Sequence, residues 1–436
     1  MHHQSRPPTP DAPPLIGHGL AFSRAPFDAL ERWATVDDVV HLTFPGRDLY
    51  LVTDPALIET VLVDRHDEFT IGRDQRETFA GIEDDAVNAS TGDTWRRLRR
   101  GLHPAFTWAG LQAYIPRIAA RTRDHLTDWT TGDRFDLHTE MRLLTLHILG
   151  DTLLGTDTTG DEAIVMDAAD ALVDRSDPRR FGQLLPDWVP TPTQRRFRRR
   201  VAALDTYVAD ILADKSPGDE DVCSVLLAAH EDGALSMAEV RDNTTAMLLA
   251  GHDSTAAALT YAWRALNCHP AVAARLREEY ATVVDDEEFD ADHVDALDLT
   301  RRVVDETLRL YPPTWAVNRE TRDQLTLGGY TLPAGAQLTM PNWVLHRDEQ
   351  YWDDPETFDP DRWTRDRDRP EYAYFPFSGG PRHCVGMRFA RLELVTALAT
   401  MVEAVDLDVE TDGELTFAPT LSLRPETDIT ATVNPS

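Results

Sequence analysis

Lysine is almost missing from this chain: Lys215 is the only one, so all but one of the 43 basic side chains are arginine. Positive charge is scarce as well, since 75 acids leave a net charge of −32. The acids are spread along the chain instead of forming one tail, which predicts a solvated acidic surface and argues against nucleic acid as a partner. The Asp-rich, lysine-poor balance is similar to that of cytoplasmic proteins from salt-loving microbes, and a high-GC genome produces the same bias. Cysteine is rare too. Cys223, Cys268 and Cys384 are an odd number without paired spacing, which excludes a disulfide framework and predicts a reducing, cytoplasmic setting. No apolar run reaches eighteen residues and no signal-peptide core is visible, so no membrane anchor is expected. Internal repeats and linker-like composition shifts are also lacking, which predicts one large domain over residues 15–436 behind a lead-in at 1–14.

That lead-in carries Pro7, Pro8, Pro10, Pro13 and Pro14 and should run stiff and extended. A short helix is predicted over Asp28 to Ala34. Strands are predicted at Val39 to Phe44 and Leu49 to Thr53 around Pro45-Gly46. From Leu98 to Leu266 the apolar spacing is mainly helical, interrupted at Pro116, at Pro186 to Pro192 and at a Ser-Pro-Gly loop starting at Ser216. After Arg309 strand and turn chemistry takes over, at Leu325 to Tyr330, Thr331 to Met340, and Leu407 to Val433 around Asp412-Gly413. The fold class is therefore mainly α with a smaller β-region.

Phe377 to Gly386 reads Phe-Ser-Gly-Gly-Pro-Arg-His-Cys-Val-Gly. Its glycines permit φ > 0 or a close approach of another group, and amides after Cys384 can turn towards its sulfur, as a metal-bound thiolate requires. A buried structural cysteine and a zinc ligand are the plain alternatives, but zinc needs more ligands than this loop offers. The helix predicted over Met387 to Val405 would set its N-terminus near the thiolate. At Phe377, Gly380, Arg382, Cys384 and Gly386 the loop resembles the signature of the cytochrome P450 family, and other elements of that family follow in order upstream.

Ser236 and Glu239 form a capping box for the longest predicted helix, which runs to Asn267 and carries a stripe of slim residues. Within it, Ala250-Gly251-His252-Asp253-Ser254-Thr255 is similar to the family's oxygen-activation motif, with Ser254 where threonine is usual. An acid beside a hydroxyl, in a helix able to open locally at Gly251, offers a proton relay, and small-residue helix packing is the ordinary alternative. Glu306 and Arg309 lie at i, i+3, a common surface pair in isolation. The resemblance adds Arg362, closing a buried cluster that sets register. Trp95 and Arg99 at i, i+4 put two donors on one side of a helix, and by resemblance they and Arg382 contact haem propionates.

The resemblance implies the cytochrome P450 fold, with haem b between the long central helix and the cysteine loop. It also implies a haem-thiolate monooxygenase that activates dioxygen with electrons from a separate ferredoxin or flavodoxin. Cys384 would be the axial ligand, Asp253 and Ser254 would deliver protons, and Phe377, Gly386, Ala250 and Gly251 would adjoin the cofactor. A pocket lined by Ile82, Val87, Met247, Ala250, Thr314 to Val317 and Leu421 to Leu423 would take a hydrophobic substrate for hydroxylation or epoxidation. Arg96, Arg97 and Arg100, turned away from the haem, would leave a basic spot for the electron donor. A non-enzymatic haem-thiolate sensor, a peroxide-driven variant and a haem-free thiol enzyme are the alternatives. The retained Asp253/Ser254 pair speaks against the first two, and the lack of a recognisable His/Asn arrangement around Cys384 speaks against the third.

Overall fold

The computed structural model describes residues 6–177, 191–216, 221–284, 289–365, 368–410 and 415–435. Most of them are helical. The central helix, Met237–Cys268, is capped as its sequence demands: the Ser236 hydroxyl accepts from the Glu239 amide while the Glu239 carboxylate accepts from the Ser236 amide. It is buried along nearly its whole length and packs most extensively on the helix Leu137–Leu149. The helices Glu162–Ser176 and Pro192–Ala213 pack on each other and on the central helix. Its other side meets Asp298–Leu310 and Met387–Ala404. The resulting core is continuous.

Strands lie beside this helical mass. The largest sheet has the order Val39–Phe44, Arg47–Val52, Gln337–Met340, Val317–Thr321, Phe69–Ile71, with only the second and third strands parallel. The first hairpin turns at Pro45-Gly46 as the sequence predicts, with its second strand starting two residues earlier, at Arg47. Gly328-Gly329 turns a hairpin between Leu325–Leu327 and Tyr330–Leu332, both glycines having positive φ. The C-terminal region divides into Leu407–Val409 paired with Thr430–Val433, and a hairpin of Phe417–Pro419 with Leu423–Pro425 between them. The turns expected at Asp412-Gly413, Pro217-Gly218 and Pro186 to Pro190 lie outside the described residues. From residue 6 onward the proline-rich lead-in has no regular structure until residue 14, and the Pro8 carbonyl accepts from the His41 amide on the edge strand.

Two features hold the site's walls. Glu306, fully buried, accepts from Arg309 Nε at 3.0 Å and Nη2 at 2.8 Å, from Arg362 Nε at 2.8 Å and from Trp363 Nε1 at 3.1 Å. The two guanidiniums spend their remaining donors on the carbonyls of His346, Pro355, Thr357 and Asp353. One carboxylate thus fixes the helix Asp298–Leu310 to the long loop that precedes the cysteine. On the opposite wall, the loop Gly81–Ser90 is pinned to the central helix, because the Asp85 amide donates to Asp242 (2.9 Å) and the Val87 amide to Asn243 (3.0 Å). Glu83 is buried in that seam, where desolvation, against one hydrogen bond from Asn88 and with Asp242 nearby, pushes its carboxyl up to about 8.

Arg362→Ala should destabilise the protein by about 3–5 kcal/mol, since it leaves the buried Glu306 charge short of a partner. Denaturant unfolding would check this, and a loss within the range of surface substitutions would contradict the framework role. Glu83 has its folded-state value raised, so the stability it contributes is present below the ordinary carboxylate range and is lost as pH rises through about 8. The slope is about 1.4 kcal/mol per pH unit for one proton. Glu83→Gln keeps the neutral shape. Its stability relative to wild type should therefore climb across that window, measured by denaturation at a series of pH values.

Candidate functional site

The cysteine loop takes its shape from contacts that only glycine permits at two points. Gly380 has φ +63°, and a Cβ there would lie 1.8 Å from the Leu62 carbonyl oxygen. Gly379 is extended, and its constraint is Tyr372, whose ring atoms would meet a Cβ at 2.4 Å. The Cys384 amide donates to the Phe377 carbonyl at 3.0 Å, closing the loop. The Gly386 amide donates to the Cys384 sulfur, and the helix Met387–Ala404 begins at the next residue. Cys384 opens onto a cavity of about 1510 Å³ yet lies deep within the protein. Burial pushes its thiol up, and the Gly386 amide and the Arg99 guanidinium act in the opposite direction.

Arg99, Arg319 and Arg382 are three of the five arginines that line this cavity. Arg99 meets His383 Nε2 at 2.9 Å, Arg382 donates to the Ser90 carbonyl and lies 4.5 Å from the Trp95 ring centre, and Arg319 donates to the Asn318 carbonyl. Among the described residues none of the three has a carboxylate partner. Burial lowers all of them, Arg382 and Arg319 to about 10. Arg319 is absent from the sequence reading. Its signal was available: Val317–Thr321 alternates buried and part-buried, and an arginine on the buried face of a strand needs a reason to be there.

The central helix forms the facing wall through Met247, Ala250, Ser254 and Ala258. It is helical throughout, Gly251 included. That glycine serves helix packing, for a Cβ would stand 2.7 Å from Leu149 Cδ1. Ser254 donates to the Ala250 carbonyl at 2.9 Å and Thr255 to the Gly251 carbonyl, so neither hydroxyl bonds Asp253. The Asp253 carboxylate is instead held by Arg424, by the Ser422 hydroxyl and by Arg142 at 3.4 Å. Burial opposes its ionisation, but Arg424 and then Arg142 hold it well below the usual carboxylate range. Both arginines also bind Asp170, at 2.7 and 2.8 Å. The four charges form a closed ring joining the central helix, the helices Leu137–Leu149 and Glu162–Ser176, and the C-terminal hairpin. Arg142, Ser422 and Arg424 all lie far from Asp253 in sequence and carry no motif, so sequence reasoning missed them.

Of the expected pocket residues, Val87, Met247, Ala250, Thr314 to Val317, Leu421 and Ser422 line the cavity. Ile82 and Leu423 are core residues instead, the latter tied to the Pro313 carbonyl and to Tyr261. The basic spot also changes. Arg97 is engaged by Glu239, whose carboxyl it helps hold down at about 2, and by the Ala234 carbonyl at 2.8 Å. Arg96 pairs with Asp93 at 2.8 Å and Arg100 donates to the Arg96 carbonyl. Arg97 therefore secures the start of the central helix and is not free for docking.

The haem implied by the resemblance fits these residues. The cavity offers one thiol with an amide donor on its sulfur. The same cavity holds Arg99, Arg319 and Arg382, which have no carboxylate partner among the described residues and suit the propionate edge of the group. At Gly386 a Cβ would have nothing nearer than Phe106 at 4.0 Å, so the backbone beside Cys384 is open there. No His, Cys, Asp and Glu cluster suited to a bare metal ion occurs among the described residues.

A family model described as Cytochrome P450 matches residues 7–432. Cyclooctatin synthase of Streptomyces melanosporofaciens is 32% identical over 90% of this chain and 88% of its own length. Pentalenene oxygenase of Streptomyces avermitilis is 30% identical over 93% of this chain and 92% of its own. A solved structure, retinoic acid bound cyanobacterial CYP120A1, superposes with a TM-score of 0.86 over 99% of both chains at 23% identity, a likeness of fold. With the thiol loop, the arginine-lined cavity and these matches in agreement, the chain belongs to the cytochrome P450 family, as a haem-dependent monooxygenase.

Proposed function

We propose that this monooxygenase hydroxylates or epoxidises an apolar small molecule of terpenoid class, using electrons from a separate ferredoxin or flavodoxin. The observation that carries the reading is the cavity's apolar lining, in which Val87, Met247, Ala250, Trp315, Ala316 and Leu421 border the same space as Cys384. Such a lining binds by burial, at about 25 cal/mol per Å² of apolar surface, and rejects polyanions. The names of two relatives, pentalenene oxygenase and cyclooctat-9-en-7-ol 5-monooxygenase, point to the same kind of ligand.

When bound, haem supplies dioxygen activation, with a cysteine thiolate donating electron density to the iron. Cys384 would be that ligand. Arg99, Arg319 and Arg382 would hold the propionates, with Trp95 backing Arg382. Ser254 is the hydroxyl nearest in sequence to Asp253 on the cavity wall, and it hands protons on only after releasing the Ala250 carbonyl. Asp253 receives protons from the interior side, where Arg424 and Ser422 fill three of its roughly four acceptor sites, so a relay through it has at most one free site on Oδ1.

The reading is tested by screening apolar ligands for a shift of the haem Soret band. Tight binding of small polyanions, with none by terpenoids, would overturn the substrate class. Cys384→Ala should abolish the red-shifted band of the reduced CO complex, and a variant that keeps that band would refute the ligand assignment. Arg424→Gln removes the strongest cation beside Asp253, so its carboxyl value rises and the acid limb of product formation should move to higher pH. Haem spectra and ligand shifts should stay as in wild type. An unmoved limb would remove Asp253 from proton delivery.

A further inference from the structure

The Arg99 guanidinium is held by an acceptor that is not an acid. Arg99 Nη2 stands 2.9 Å from His383 Nε2, and among the described residues this ring nitrogen is the one hydrogen-bond partner that the guanidinium has. A guanidinium carries donors only, so Nε2 must present a lone pair. The other ring nitrogen agrees. His383 Nδ1 lies 2.9 Å from the Gly380 carbonyl, whose oxygen can only accept, which puts the ring hydrogen on Nδ1 and makes the imidazole neutral.

The carbonyl that sets this tautomer belongs to the glycine seated against Leu62, and it also accepts from the His383 amide at 3.1 Å. His383 thus closes the turn Gly380–Arg382 directly before Cys384. Bonded through both nitrogens, its ring joins the helix Gly92–Leu102 to the cysteine loop. A neutral acceptor at this place needs a reason, because a chain with 75 acids could have supplied a carboxylate. A carboxylate at position 383 would hold Arg99 as well, but it would cancel the charge and compete for the donors that an anionic cofactor edge needs. An imidazole lone pair takes one donor and leaves the charge intact. Arg99 is half-buried, and its charge acts on Cys384, whose thiolate it favours.

We propose that His383 is a positioning residue: its neutral imidazole orients the Arg99 guanidinium towards Cys384 and the propionate edge of the haem, and so sets how firmly the cofactor is held and how readily it is reduced. The proposal rests on the haem-thiolate reading, and it acts only through Arg99. A cation fixed beside the thiolate favours the state that has gained an electron, so loosening that cation lowers the reduction potential.

The test compares haem-loaded wild type with His383→Phe, His383→Gln, Arg99→Gln and the double variant Arg99→Gln/His383→Phe. Two readouts need no substrate: the reduction potential, by equilibration with a redox dye, and the rate of haem transfer to an excess of apomyoglobin. His383→Phe keeps a ring and loses the acceptor. It should shift the reduction equilibrium about tenfold towards the oxidised form, about 59 mV for one electron, and speed haem loss about tenfold. His383→Gln returns an acceptor at similar reach and should stay near wild type. The double variant should match Arg99→Gln alone, since losing the acceptor cannot matter once its donor is gone. Additive losses in the double variant, glutamine behaving as phenylalanine, or a phenylalanine variant equal to wild type would each overturn the proposal. The red-shifted band of the reduced CO complex reports that each variant has folded with its thiolate in place, and His383→Ala takes the place of a phenylalanine variant that loses it. Absence of that band from wild type would refute the haem-thiolate reading itself.

Discussion

Placing a thiolate inside a cavity walled by carbon is costly, because burial favours the neutral thiol. The surroundings of Cys384 each reduce that cost. The Gly386 amide reaches the sulfur, Arg99 stands close enough to favour its charge, and a helix N-terminus follows at Met387. These groups are short-ranged, so the loop must hold its shape closely. That requirement explains Gly380, whose backbone lies against the Leu62 carbonyl, and Gly379, which lies against Tyr372. It also explains why the loop's approach is fixed by Glu306 and two arginines instead of by apolar packing: directional bonds determine register, whereas carbon contacts tolerate a shift.

The two buried charge systems differ in a way that bears on their roles. Glu306 is bonded at both oxygens to groups that are themselves saturated by backbone carbonyls, and no member faces the cavity. Such a cluster has no route to change. Asp253 is held as firmly, but its ring includes Ser422 on the cavity wall, Asp170 on a helix whose next residues line the mouth, and a hairpin strand of three residues. Motion at the mouth can reach the acid through Arg424. The first system is a framework and the second is a linkage, and the difference lies in what each group's second partner is attached to.

Local chemistry made much of this legible in advance. The capping box at Ser236 and Glu239, the glycine turns at 328 and 329, the cysteine loop, and the alternation of a long helical run with a late β-region were readable because each depends on residues near one another in the chain. What was not readable depends on distant pairs. Nothing local to Asp253 announces Arg424, 171 residues away, and nothing local to Arg97 announces Glu239. Gly251 shows the limit from the other side. Its place in a motif suggested a flexible helix, while the determining contact is Leu149 on a neighbouring helix.

The near-total use of arginine ties these points together. Arg309, Arg362 and Arg424 each bridge several acceptors from one planar group, which an ammonium on a flexible stem does less well. Arg319 and Arg382 remain cationic even when burial brings them down to about 10, whereas a lysine, starting lower, would be brought closer to neutral pH at such a site. A surface so rich in acid can neutralise stray cations freely, so arginines left unpaired are informative here in a way they would not be on a basic protein. Those facing the cavity stand where an anionic cofactor edge belongs.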